Sequence, residues 1–221
     1  MSNLTVFGNA GLPSVGDLTS ALRRVEATVE TGAGGIILKM DKTGHWVFGA
    51  DQTEVESDSK WAVNPFSFVH GFIAWGNGEV LGEAMGPVTA PLPEHGPVPD
   101  GCAKGWEVQI GASVKCISGE DAGINARYSA TSVGGKKALT ALGLAIAAQV
   151  EKDPTRPVPI VLLKKEHYQH KSYGRIYTPV FDIIDWSSLD ADSADVAAAA
   201  DVDDEQDDAT EAPRRRRRVV A

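Results

Sequence analysis

The residues best equipped for chemistry lie between Leu162 and Tyr177. There Lys164, Lys165, His167, Tyr168, Lys171, Tyr173 and Arg175 interleave cations with rings inside sixteen residues. An unpaired polynucleotide is held by cations that track its phosphates and by flat rings on which its bases stack, each stacked base contributing roughly 1–3 kcal/mol. In extended chain alternate side chains share a face, so Lys164, Tyr168 and His170 fall on one side and Lys165, His167 and Lys171 on the other. Phe66, Phe68 and Phe72 supply further rings, aligned with His70 along one face of an expected strand. Lys136 and Lys137 open an expected helix, where the dipole favours anions, so their presence suits a phosphate partner. Arg127 and Tyr128 add one more cation and ring. The ordinary alternatives stand beside these readings: an aromatic strand face is commonly core, and a lysine-rich hairpin is commonly a solvated tip.

Other chemistries fit less well. His167-x-x-His170 invites zinc, but Cys102 and Cys116 are not a close pair of the kind structural zinc sites use. Ser132-Val133-Gly134-Gly135-Lys136-Lys137 lacks the first glycine of a phosphate loop and has Lys137 where Ser or Thr follows the lysine. Thr31 to Gly35 follows a helix and precedes a strand, the reverse of the dinucleotide-binding order. No serine elbow, HExxH or paired-acid motif stands out. The expectation is a protein without metal or cofactor that is not an enzyme.

These residues need a scaffold. Leu18, Ala21, Leu22, Val25 and Val29 recur at helical spacing behind Ser14 and Asp17, a capping box with Asp in place of Glu. Strands are expected at Ile36 to Met40, His45 to Gly49, Phe66 to Trp75, Glu79 to Met85, Trp106 to Ile117, Ile124 to Thr131, Val158 to Tyr168 and Ile176 to Trp186. Gly76-Asn77-Gly78 is a hairpin turn. Gly86 to Gly101 carries five prolines and must be loop. Lys136 to Lys152 is the strongest helix, stopped by Asp153-Pro154. Seven or eight short strands and two helices predict a mainly β fold, a barrel of elaborated OB type, with a mixed α+β sandwich as the other solution.

The chain has 221 residues and a formal charge of −9, but that charge is segregated. Residues 190–212 hold ten acids and no base, and Arg214 to Arg218 follow as five bases. Residues 127–175 carry nine bases against three acids. The expected division is therefore a single binding domain over 1–189 and a disordered acidic tail over 190–221 ending in the arginine run. Globular hydrophobic content, two cysteines and no secretory start or membrane span point to a soluble chain in a reducing cytoplasm.

A β-barrel body, a Lys/aromatic hairpin and an acidic C-terminus together resemble the single-stranded DNA-binding proteins of bacteriophages. The stretch from Ile124-Asn125-Ala126-Arg127-Tyr128 through the Ala/Leu helix to Tyr177-Thr178-Pro179-Val180-Phe181 is most similar to them. The resemblance implies an OB barrel, largely sequence-independent binding of single-stranded DNA, and a tail that modulates binding and recruits replication or recombination proteins. The usual aromatic end of such tails is missing here, since the chain closes Arg218-Val219-Val220-Ala221. A homo-oligomer is compatible with this reading. The alternative is a structural or assembly protein whose acidic tail keeps it in solution.

Overall fold

The computed structural model describes residues 35–189. The expected N-terminal helix, the acidic tail and the arginine run lie outside the described residues. Contacts divide the chain after Gly35, and every described element belongs to the second unit.

Ten strands and one long helix make this unit mainly β. In chain order they are β1 (Ile36–Met40), β2 (Trp46–Phe48), β3 (Thr53–Glu54), β4 (Lys60–Val63), β5 (Val69–Gly76), β6 (Glu79–Pro87), β7 (Trp106–Cys116), β8 (Asn125–Ala130), α1 (Val133–Lys152), β9 (Val158–His170) and β10 (Gly174–Ser187). One sheet runs β10-β9-β4-β7-β8-β1-β2-β3, and β5 pairs with both β6 and β7. All pairings are antiparallel except β1 with β8.

β7 organises the sheet, because its two halves have different neighbours on one edge. Val114 to Cys116 pair with β4, whereas Trp106 to Gly111 pair with β5. The β5–β6 hairpin is thereby an extension at the far end of β7. Its turn puts Asn77 and Gly78 at φ 51° and 85°, the left-handed pair that an Asn-Gly turn accepts at low cost.

Alternation along β7 and β8 sends Ala112, Val114, Cys116, Ala126, Tyr128 and Ala130 inward. The sheet then curls until strands distant in its order meet. Tyr128 of β8 and Phe181 of β10 have ring centroids 5.3 Å apart, and Trp46 of β2 sits 5.3 and 5.6 Å from the same two rings. The Trp46 indole N–H donates to the Lys164 carbonyl at 2.9 Å, joining β2 to β9 across the mouth of the resulting half-barrel. Helix α1 closes the core with Leu139, Leu142 and Ile146, a stripe at i, i+3 and i+7. Ser132 caps it by accepting from the Gly135 N–H, so the helix starts at Val133, three residues ahead of the lysine at which the sequence pattern starts it.

Two expectations need correction. The strand expected from Phe66 begins only at Val69, because Asn64 and Pro65 set a 3-10 turn over Pro65–Ser67, with the Asn64 side chain accepting from the Phe66 N–H. Alternation therefore does not run from Phe66 to Phe72. β3 and β4 lie in a stretch to which no strand is assigned from sequence. Lys60-Trp61-Ala62-Val63 is too short to show a pattern, yet Trp61 and Val63 are fully buried.

Candidate nucleic-acid interface

The β9–β10 hairpin extends past its neighbour in the sheet. β9 pairs with β4 only from Ile160 to Leu162, so residues 163–170 and their β10 partners run on beyond it. The turn is built by His170, whose Nδ1 accepts from the backbone N–H groups of Ser172 and Tyr173 at 3.1 and 3.3 Å. That ring also lies 4.8 Å from the Tyr173 ring at 30°, which presents Tyr173 to solvent at 78 % exposure. Tyr168 is 50 % exposed. The His170 nitrogen is thus committed to the turn, and among the described residues no cluster of His, Cys, Asp or Glu is suited to a metal.

Alternation divides the strands of the hairpin as the sequence predicts, except that Lys171 falls in the turn beyond β9 and belongs to neither face. One face carries Lys165 and His167 with their cross-strand partners Pro179 and Tyr177, and Arg175 beyond them. Lys165 Nζ stands 5.3 Å from the Tyr177 ring centroid, and the His167 ring is 5.9 Å from Tyr177. The other face carries Lys164, Glu166 and Tyr168. Lys164 Nζ is 2.6 Å from Asp182 Oδ2, an ion pair that offsets its charge. Lys165, Lys171 and Arg175 are exposed and have no carboxylate partner among the described residues.

The β1–β2 turn abuts this hairpin, a neighbour that sequence distance conceals. Gly44, at φ +83°, lies so close to β10 that a Cβ there would come within 2.6 Å of the Tyr177 ring. Asp41 shapes the turn by accepting from the backbone N–H groups of Thr43 and His45, both at 2.8 Å. Partial burial pushes the Asp41 carboxyl up, but those N–H groups and the Thr43 hydroxyl outweigh it and hold the pKa below the usual value. Lys42 is exposed on the same turn.

The remaining expected residues separate. Phe68 is 8 % exposed in the core, packed near Gly143 of α1, so burial removes it from any interface. Phe66, on the 3-10 turn, is 74 % exposed and points away from that core. Phe72 is half-buried on β5, where its ring meets His95 at 4.5 Å. Lys136 and Lys137 belong to the first turn of α1, with Lys136 Nζ 3.5 Å from the Val108 carbonyl of β7. Val108 is the register partner of Phe72, so Lys136 reaches the end of β7 that Phe72 flanks. Arg127 lies on the outer face of β8 and pairs with Glu83 of β6 at 3.5 Å. Tyr128 is buried, and burial pushes its phenol up to about 12.

Trp106 is the residue sequence reading missed. It stacks on His95 at 5.1 Å and 29°. The available signal was the alternation of Trp106 and Val108 on the end of β7 that Phe72 shares.

No helix among the described residues is long and apolar enough to cross a membrane. Comparison of the chain with protein-family models, curated proteins and solved structures returns no match.

Proposed function

We propose that this protein binds single-stranded DNA without catalysing a reaction, largely independently of sequence. The observation that carries this reading is the β9–β10 hairpin. Two exposed tyrosines, a His170–Tyr173 ring contact and three cations lacking a carboxylate partner among the described residues occupy its outer part. Rings exposed at such cost in apolar surface, interleaved with cations, are what a stacking platform and a phosphate track require.

The topology supports the finer reading of an elaborated OB barrel. β4, β7, β8, α1, β9 and β10 follow one another in the order of that fold, with pairs β4–β7, β7–β8, β4–β9 and β9–β10 and the helix between the third and fourth strands. The β1–β2 hairpin occupies the seam between β8 and β10. In OB folds oligonucleotides bind across strands two and three and the loops between strands one and two and four and five. Those correspond here to β7–β8, residues 64–105 and the β9–β10 turn. A role in bacteriophage DNA replication or recombination, with the acidic tail modulating binding and recruiting partners, rests on the family resemblance.

The test is fluorescence anisotropy of labelled oligo-dT and of a duplex with the full chain at about 50 and about 200 mM salt. Tighter binding to the single strand, weakened by salt and by Tyr173→Ala, is expected. Equal affinity for both forms, or none for either, refutes the reading.

A further inference from the structure

β7 outruns the barrel, and on the strip it shares with β5 the side chains of Trp106 and Val108 lie beside Ala74 and Phe72. The proline-rich loop returns across this strip. It inserts the His95 ring between Phe72, 4.5 Å away edge-on, and Trp106, 5.1 Å away at 29°. The Trp106 indole N–H is taken by the carbonyls of Gly96 and Pro97 at 3.0 and 3.3 Å, and its benzo ring packs on Gly82, where a Cβ would come within 2.6 Å. Trp106 is therefore fixed in position. His95 is not: the residue is exposed, and its one hydrogen bond runs from Nδ1 to the neighbouring Gly96 carbonyl. A ring held by two ring contacts and one hydrogen bond to its own neighbour, in a slot open to solvent, is replaceable by a larger flat ring. Lys136 Nζ stands at the Val108 carbonyl, which brings one cation to the edge of the slot, and Lys137 is exposed on the next residue of α1.

We infer that Trp106 and Phe72 form a second stacking subsite for an unpaired nucleobase, filled by His95 until the base displaces it, with the attached phosphate met by Lys136 and Lys137. This rests on the single-stranded DNA reading and extends it. The ten residue steps of β7 from Trp106 to Cys116 span about 33 Å. Through β4 the hairpin joins the sheet beside the Cys116 end of β7, so the subsite lies at the opposite end of that strand, and only a long oligonucleotide engages both.

The experiment uses the full chain with oligo-dT of about 6 and about 30 nucleotides, one near the short end of the site sizes such domains cover and one beyond their long end. His95→Ala is expected to tighten binding of the longer oligonucleotide about threefold or more, and Trp106→Leu to weaken it about fivefold or more, the scale of one lost stack. The imidazole C–H proton resonances of His95, displaced by the Trp106 ring current, are expected to move to solvent-exposed positions on saturation with the longer oligonucleotide. This readout does not depend on the Trp106 variant folding. If the wild-type chain binds and Tyr173→Ala weakens it, while the His95 resonances stay and His95→Ala binds as wild type does, the subsite is refuted and the hairpin stands. If the wild-type chain binds no single strand, both fall.

Discussion

Salt dependence offers a way to count the cations of the β9–β10 hairpin. Lys165, Lys171 and Arg175 have no carboxylate partner among the described residues, whereas Lys164 is held 2.6 Å from Asp182. On a single strand each neutralised phosphate contributes a slope of about −0.7 to log K against log salt, through counterion release. Three cations give about −2, so raising salt from about 50 to about 200 mM weakens their contribution roughly 20-fold. Were Lys164 to take part as well, the same rise would weaken binding roughly 50-fold. The perturbation is the combined change Lys165→Gln, Lys171→Gln and Arg175→Gln, measured by anisotropy of labelled oligo-dT across the salt range. The difference between wild-type and variant slopes is expected to be about 2, whatever cations elsewhere in the chain contribute. The stacking on Tyr168 and Tyr173 is expected to persist as a weak, salt-insensitive remainder. A variant whose slope equals that of the wild type shows that phosphates do not meet this hairpin, and the electrostatic reasoning fails.

Asp182→Asn removes the carboxylate beside Lys164; the slope in the same assay is expected to steepen by about 0.7. Because the pair is exposed, thermal stability is expected to change by less than about 1 kcal/mol. Tyr128 has a folded pKa of about 12 against 10.0 in its ordinary state, so the fold favours the neutral phenol. Its contribution is complete below about pH 10 and is lost as pH rises towards about 12, by about 3 kcal/mol, a fall that denaturant titrations should record and Tyr128→Phe should abolish. Gly44→Ala places a Cβ at φ +83° and 2.6 Å from the Tyr177 ring. A loss of about 1–3 kcal/mol in chemical denaturation is expected, with weaker oligo-dT binding as Tyr177 shifts; unchanged stability would show that the turn does not brace the hairpin.

Much of the sheet was legible because its strands are local pairs. The β1–β2, β5–β6 and β9–β10 hairpins each join two patterned runs by a short turn, and Asn77-Gly78 or Asp41 to Gly44 mark those turns in the sequence itself. The helix was legible from its Ala and Leu content, though its start was not. Ser132 supplies the cap, while Gly134 and Gly135 discourage a helical reading of the first turn. What could not be read was pairing between distant segments. Lys60 to Val63 is four residues long and becomes a strand because β7 and β9 flank it. Phe66 and Phe68 looked alike in sequence, yet Asn64 and Pro65 set a 3-10 turn that holds Phe66 and ends just before Phe68. One ring is left in solvent and the other enters the core.

The same distinction between local and distant explains the site. A hairpin carries its own register, so the alternation of Lys164, Lys165, His167 and Tyr168 translates directly into two faces, and the structure keeps them. What sequence could not supply was the partners that decide which face is electrostatically available. Asp182 is eighteen residues from Lys164 and meets it only because β10 returns at that register. Gly44 is farther still from Tyr177. Phe72, Trp106 and Lys136 are separated by about thirty residues at each step and converge because β7 pairs with β5 on one side and leads through β8 into α1 on the other. The cations that count are therefore selected by topology. On a chain of net charge −9, topology decides which cations keep a carboxylate beside them, as Lys164 keeps Asp182 and Arg127 keeps Glu83.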